Sequence, residues 1–283
     1  MEILVTGANG QLGIDLVKEL YKRGYNVICP SRYDMNLEDK DKIKEYIMNS
    51  NCDAIIHCAA YTSVDKAEQE KGLCLRINKD ATEVIAICAK KFDIPMIYIS
   101  TDYIFDGSKD EEYTEKDIPN PINMYGMSKY LGEKSVISNL DKYYVVRTSW
   151  VFGINGNNFI ETMLNISKIR NKINVVDDQI GSPTYTVDLS RLLVDILESN
   201  KYGIYNATNE GYCTWYEFAK EIFEISNIDI KINPISSNEY KCMAKRPLNS
   251  RLSKNKLVES GFQLLPNWKE ALTNYIQQRE NNI

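Results

Sequence analysis

The sequence predicts an α/β fold: a doubly wound parallel sheet joined to a smaller, discontinuous α/β domain. Three observations carry that expectation. A short apolar run opens the chain and leads at once into a glycine turn and an amphipathic helix. Apolar strand-like runs then alternate with helical stretches as far as Trp150, the pattern of βαβ units. Beyond Trp150 the elements shorten and are separated by Gly- and Pro-containing loops.

The bulk numbers set bounds on function. A chain of 283 residues is long enough for one large core or two modest domains. Its net charge of −5, from 39 acidic and 34 basic residues, implies no nucleic-acid-binding surface, so any anionic ligand must be held by a few placed groups. No run of about 18 apolar residues exists, and no membrane span is expected. The seven cysteines include no Cys-x-x-Cys and no secretory leader precedes the first strand, which fits reduced thiols in the cytoplasm. The one histidine, His57, argues against a His-rich metal site or a Ser-His-Asp triad.

Glu2–Thr6 reads as a buried strand, followed by Gly7-Ala8-Asn9-Gly10-Gln11-Leu12-Gly13. Leu12, Leu16, Val17 and Leu20 recur at helical spacing. Strand, glycine turn and helix in this order form a dinucleotide-binding fingerprint of the Rossmann type. Gly7 and Gly10 allow the tight turn, Gly13 lets the helix pack near the strand, and the helix N-terminus faces a pyrophosphate. Contacts to the cofactor are expected from Gly7, Asn9, Gly10, Gln11, Leu12 and Gly13. Asn26–Cys29 is the second strand, ending at Pro30-Ser31-Arg32. An acid at this strand end would grip a ribose and select NAD, whereas an Arg suits a 2′-phosphate. Arg32 is present and Asp34 comes late, which leans toward NADP or use of both cofactors; a solvated Arg is the competing reading.

Asp39–Asn49 is helical. Ala54–Ala60 is the third strand, ending in small residues suited to lie beside an adenine or ribose. His57, inside this strand, reads as a core imidazole. Residues 71–91 form a long amphipathic helix on which Asn78 either braces a backbone group near the site or is exposed. Pro95–Ile99 delivers Ser100–Gly107 to the carboxyl edge of the sheet, where ligands of open α/β sheets bind. The Thr101 hydroxyl can there bond a substrate carbonyl. Tyr125 and Lys129, four residues apart, stack phenol and ammonium on one helix face, and a nearby cation favours phenolate. With 19 tyrosines in the chain, that pair alone reads far more readily as a solvated helix face, and it is the upstream stretches that change this.

Tyr143–Arg147 is a further strand, Asn158–Ser167 a helix, Asn174–Val176 a short strand and Asp178–Thr184 a loop. Val187–Glu198 and Gly203–Ala207 return to the first domain, which therefore comprises 1–150 plus about 186–208. The second takes 151–185 plus 209–283. Thr214–Ile225 opens with a capping-box pattern, Thr214 and Glu217. Residues 231–252 read as irregular and basic, and Asn267–Gln278 as a closing helix.

Seven stretches taken together carry a resemblance. They are Gly7–Gly13, Ala59–Glu68 (Ala-Ala-Tyr-Thr-Ser-Val-Asp-Lys-Ala-Glu), Ser100–Gly107, Tyr125–Glu133, Arg147–Gly153 (Arg-Thr-Ser-Trp-Val-Phe-Gly), Asp178–Thr184 and Arg246–Leu252. The chain resembles the extended short-chain dehydrogenases/reductases and, more narrowly, the dTDP-4-dehydrorhamnose reductase family. The glycine motif and Tyr-x-x-x-Lys mark only the superfamily; the Val-Asp-Lys-Ala-Glu, Ser-Thr-Asp-Tyr and Arg-Thr-Ser-Trp stretches are more specific.

The resemblance implies reduction of the C4 ketone of a dTDP-linked 6-deoxyhexose by NADPH or NADH. Tyr125 would donate the proton, Lys129 would lower the Tyr125 pKa and bond the nicotinamide ribose, and Thr101 would hold the carbonyl oxygen. Ala59, Ala60, Tyr61 and Thr62 match the cofactor-contacting stretch. Asp102 and Trp150 would line the sugar pocket, with a core indole the competing reading for Trp150. Arg246 and Arg251 would neutralise the diphosphate, against the reading of surface arginines in a loop. A magnesium ion held near the C-terminus in some members has candidate acids in Glu270 and Glu280, but no ligand set is assigned. The protein would act as a monomer or homodimer. Two other readings stay open: an epimerase or dehydratase of the same superfamily, and a non-catalytic regulatory subunit. Asp102-Tyr103, in place of an Asp-Glu pair, argues against the dehydratase.

Overall fold

The computed structural model describes residues 1–281. The first half alternates as the apolar pattern requires: β1 (Glu2–Thr6), α1 (Gln11–Lys22), β2 (Asn26–Ile28), α2 (Lys40–Asn49) and β3 (Ala54–His57). Two short helices follow, α3 (Val64–Ala67) and α4 (Lys71–Leu75), then a π-helical turn at Arg76–Asp80 and α5 (Ala81–Lys91). Next come β4 (Met96–Thr101), a 3-10 turn at Asp102–Ile104, α6 (Met124–Asn139) and β5 (Tyr143–Thr148). The second half contributes β6 (Val151–Phe152), α7 (Phe159–Ser167), β7 (Lys172–Val176), β8 (Ile180–Gly181), β9 (Thr184–Tyr185), α8 (Thr186–Ser199) and β10 (Gly203–Asn206). The chain closes with β11 (Cys213–Thr214), α9 (Trp215–Ile225), β12 (Lys231–Ile235), α10 (Asn255–Glu259) and α11 (Trp268–Glu280).

Six parallel strands form the main sheet in the order β10-β5-β4-β3-β1-β2. Alternate side chains along each strand enter opposite cores. Ile3 and Val5 pack with Leu16 and Leu20 of α1 and Leu189 and Leu193 of α8 on one face. Leu4 and Ile55 pack with Ile43 of α2, Ile85 of α5 and Val136 of α6 on the other. Both faces are thus covered, as a parallel sheet requires. From β1 the chain crosses to β2 on one side and returns to β3 on the other, so a crevice opens between the carboxyl ends of β1 and β3.

A second core gathers Phe152, Ile160, Phe218, Ile222, Trp268 and Tyr275 from β6, α7, α9 and α11. The capping box of α9 is complete: Glu217 N donates to Thr214 Oγ1 at 3.1 Å and Thr214 N to Glu217 Oε2 at 2.8 Å. Leu257 and Leu265 pack instead into the core beneath the main sheet.

Two expectations need correction. Residues 231–252 are not wholly irregular, because Lys231–Ile235 pairs in parallel with β7. Pro234 hides this strand from a sequence reading, but a proline is tolerated in a two-stranded sheet whose strands are both edges. The helix of residues 71–91 is interrupted by the π turn at Arg76–Asp80, which carries Asn78. The extra residue in such a turn re-aims a side chain.

Candidate active site

Thr101 ends β4, and the 3-10 turn sets Asp102 and Tyr103 directly beside it. The first turn of α6 is pinned to that edge from two sides. Asn123 caps it, its Oδ1 accepting from Gly126 N at 2.8 Å, and Glu68 Oε1 accepts from Met124 N at 2.7 Å. Gly126 is required here, since a Cβ would meet the Tyr103 carbonyl oxygen at 2.0 Å. Tyr125 and Lys129 therefore face the end of β4 one helical turn apart.

The electrostatics are those of a dry site. Lys129 is only 3% exposed and lies 4.1 Å from the centre of the Tyr98 ring. Burial pulls its pKa down from 10.5 to about 7, opposed by the charge of Glu133. Burial pushes the Tyr125 phenol upward; a hydrogen bond with Thr101 pulls it back, and the charge of Asp102 raises it further. Burial is the largest influence on the resting phenol and keeps its pKa raised. At neutral pH Tyr125 holds its proton. The edge of the Tyr103 ring packs against Tyr125 with centroids 5.8 Å apart.

Below the pair, Glu133 accepts from Arg147 Nε at 3.0 Å and Nη2 at 2.9 Å, and from the Ser100 hydroxyl. Both charged side chains are 2% exposed or less. His57 is a core imidazole bonded to Thr6 at 2.7 Å and Thr82 at 3.1 Å, its pKa lowered to about 3 by burial and by Lys129. Asn78 braces the site's rim: its Oδ1 accepts from Tyr61 N at 2.7 Å, and its Nδ2 donates to the Tyr61 carbonyl and to Ser128.

The crevice fits a dinucleotide. Gly7 has φ +67°, and a Cβ there would meet the Ala59 backbone at 2.8 Å; a Cβ on Gly13 would meet the Gly7 carbonyl oxygen at 2.1 Å. Helix α1 starts at Gly10 with no side-chain cap and no acid in its first turn, which leaves its amides for an anion. A cavity of about 420 Å³ runs from Gly7 and Asn9 past Ser31 and Arg32 to Ala60 and Tyr61. Asn36, Leu37, Leu73 and Ile77 also line it, and the sequence had not singled them out. Asp34 is folded back on Ser31, bonding its N–H at 2.9 Å and its hydroxyl at 2.6 Å. Arg32 is exposed and paired with Glu38 at 2.9 Å.

Other expected residues divide by what they already hold. Leu12 points into the core, so only its backbone can face the cofactor. Gln11 Oε1 accepts from Gly153 N at 3.1 Å and Asn158 Nδ2 at 3.2 Å. Thr62 is exposed at the rim. Trp150, at φ 47°, stacks on Trp215 with centroids 3.6 Å apart, so one indole face is already covered. Arg246 reaches Asp65 at 2.7 Å, and Asp65 also accepts from Met243 N and Ala244 N. Arg251 is engaged by Asn249 Oδ1 and the Asp110 carbonyl. Asp65 and Glu68 of the Val-Asp-Lys-Ala-Glu stretch were missed as individual residues; their helical spacing gives no hint of partners far along the chain. Among the described residues, no group of three His, Cys, Asp or Glu side chains could hold a metal.

The RmlD substrate binding domain family matches residues 1–281. The spore coat polysaccharide biosynthesis protein SpsK of Bacillus subtilis is 38% identical over 99% of this chain and 98% of its own. A crystal structure of a dTDP-4-dehydrorhamnose reductase from Clostridium acetobutylicum superposes with a TM-score of 0.97, at 38% identity over 99% of this chain and 100% of that one. The Bacillus anthracis dTDP-4-dehydrorhamnose reductase, solved in complex with NADP, gives 0.95 at 40% identity over 98% and 99%. With the Thr101, Tyr125 and Lys129 edge beside a dinucleotide crevice, and these matches running from end to end, the chain belongs to the RmlD family of dTDP-4-dehydrorhamnose reductases.

Proposed function

We propose that the protein reduces the C4 ketone of dTDP-4-dehydro-L-rhamnose with NADPH or NADH, giving dTDP-L-rhamnose for cell-surface polysaccharide synthesis. The observation that carries this reading is the protonated, half-buried Tyr125 phenol beside the buried Thr101 at the sheet edge, one helical turn from the buried Lys129. A reduced nicotinamide bound in the crevice supplies the hydride. Thr101 and Tyr125 aim hydroxyls at the ketone oxygen, where negative charge develops. Tyr125 gives that oxygen its proton. Lys129, protonated in part near pH 7, steadies the phenolate left behind. The burial of Thr101 and Lys129 limits the water that would compete for the proton.

The glycine turn and the α1 amides hold the cofactor pyrophosphate, Ala59 to Thr62 border its ribose, and Arg32 faces a 2′-phosphate in preference to the occupied Asp34. Asp102 and Trp150 border the sugar. Arg246 and Arg251 are the candidates for the diphosphate; Arg246, half-buried and close to Tyr103, lies nearer the Thr101 edge, although both forks already hold partners, Asp65 for Arg246 and Asn249 with the Asp110 carbonyl for Arg251. Residues 151–185 and 209–283 form the cover over the nucleotide-sugar, although Leu257 and Leu265 anchor part of it to the first core. No helix among the described residues is long and apolar enough to cross a membrane. The enzyme acts in the cytoplasm as a monomer or homodimer.

The test is loss of reduced-nicotinamide absorbance with dTDP-4-dehydrorhamnose, with NADPH and with NADH, beside Tyr125→Phe. Turnover by the wild type and a fall in kcat of roughly 10²–10⁴ in the variant are expected. No turnover by cofactor-bound wild type sinks the reading.

A further inference from the structure

The Thr101 hydroxyl has one proton to give and two lone pairs to fill. Its proton goes to Asp102 Oδ1 at 2.9 Å. One lone pair accepts from the Tyr103 N–H at 3.2 Å, and the Tyr125 hydroxyl is its remaining hydrogen-bonding neighbour. With Asp102 ionised this arrangement is the favoured one, because the carboxylate is the strongest acceptor in reach and has no proton to return, and an amide N–H cannot accept. Thr101 then has nothing to donate to a substrate oxygen or to the Tyr125 phenol, whose own proton is free to turn toward the remaining Thr101 lone pair. Both donors that the ketone oxygen needs point away from it.

Protonating Asp102 reverses every bond in the chain. The acid donates to Thr101 Oγ1, and together with the Tyr103 N–H it fills both lone pairs. Thr101 must now donate outward, and Tyr125 can no longer donate to Thr101. We propose that Asp102 works as a neutral carboxylic acid, a positioning residue that turns the Thr101 and Tyr125 protons toward the substrate oxygen. The proposal rests on the reductase reading above. Asp102 keeps its own proton throughout; the one added to the alkoxide comes from Tyr125.

The surroundings favour the neutral form. Asp102 is 3% exposed, and among the described residues no cation is bonded to it. Its second oxygen, Oδ2, is buried and makes no hydrogen bond among them, with the Ser250 hydroxyl nearby to steady a charge. The titratable groups facing it are Tyr103 from its own turn and Tyr125 from α6; both are neutral phenols at this pH, and neither supplies a positive charge to hold an anion. Arg246, from the loop before Ser250, reaches Tyr103 and Asp65. Burial raises the carboxyl to about 6, with Ser250 and Thr101 pulling it back. A sugar closing over the site removes more water and pushes in the same direction. Loss of the Asp102 charge also lowers the Tyr125 phenol, which eases release of its proton.

The test compares kcat of wild type and Asp102→Asn from roughly pH 5.5 to 8.5. The Asn amide donates to Thr101 at every pH. Wild-type kcat is expected to fall as pH rises through the carboxyl's titration in the complex, while the variant's does not. The variant-to-wild-type ratio then climbs, by up to about tenfold per pH unit. Parallel profiles, or an effect confined to KM, overturn the proposal, since a carboxylate that simply holds a sugar hydroxyl acts on KM. In a Thr101→Val background the same exchange should leave the profile unmoved; a persisting shift means that Asp102 acts by another route and also overturns it. If Asp102→Asn does not fold, judged by the cofactor-induced rise in Tm, the Thr101→Val profile decides: a limb present in wild type and lost there supports the proposal, and an unchanged limb overturns it. Absence of wild-type turnover sinks the reductase reading itself, whereas turnover with a flat ratio sinks only this inference.

Discussion

At the residue scale the site is held in a costly state. Lys129 is buried and its pKa falls from 10.5 to about 7. The unfolded chain therefore binds more protons than the folded one between about pH 7 and pH 10.5, so stability rises with pH across that window. Below about pH 7 the full cost is present. The Tyr98 ring and Glu133 offset part of it. Lys129→Met removes a charge that the fold must desolvate while keeping the apolar stem. It should abolish turnover yet raise stability at pH 7 by roughly 1–4 kcal/mol, with the gain shrinking toward pH 10. Urea midpoints at two pH values would show this; a loss of stability at pH 7 would mean that Lys129 is a net structural support. The spacing of Tyr125 and Lys129 was legible because helical geometry alone puts i and i+4 on one face. Their protonation states were not, because those depend on how much water the second half of the chain removes.

At the scale of single elements, α6 shows what local pattern can and cannot reveal. Its start is written in the sequence, since Asn123 is a residue type that caps helices. Its seating is not. Glu133 reaches Arg147 on β5 and Ser100 on β4, and Glu68 reaches back to Met124 across 56 residues. No periodicity records such partners. The buried Glu133–Arg147 pair also leaves Arg147 Nη1 without a partner among the described residues, so the pair is fully desolvated and not fully satisfied. Removing one charge strands the other. Glu133→Gln should lower stability by about 3–5 kcal/mol, whereas Glu133→Met with Arg147→Met should recover most of that loss. A double-mutant cycle from urea unfolding measures it, and additive losses would show that the pair is not coupled. The π turn teaches the same lesson. Apolar spacing predicted an unbroken helix over 71–91, and it was the polar Asn78 whose need to brace Tyr61 is met by one extra residue in the turn.

At the scale of the whole molecule, the main sheet was legible because strands buried on both faces write continuous apolar runs, and the glycine turn fixes where they begin. The second unit was legible only in part. Many of its joins are polar contacts between distant segments, such as Asn249 Nδ2 donating to the Lys109 and Glu111 carbonyls. Gln11 belongs to this class. It stands in the cofactor motif, yet its side chain clasps Gly153 and Asn158, and Asn158 caps α7 in the second core. That geometry separates two roles which the motif alone merges. If the clasp is the side chain's work, Gln11→Ala leaves the Gly153 N–H without its acceptor, removes one of the Asn158 carboxamide's bonds and costs about 1–3 kcal/mol. Cofactor affinity, which draws on the backbone amides of α1, should then change by less than about threefold. The stabilisation given by saturating NADPH, about 2.7 kcal/mol at a hundred times Kd, should survive in the variant. Thermal unfolding with and without NADPH distinguishes the outcomes. A lower Tm with an intact cofactor-induced shift identifies a clasp between the two cores, while an intact Tm with a lost shift makes Gln11 a direct ligand of the cofactor.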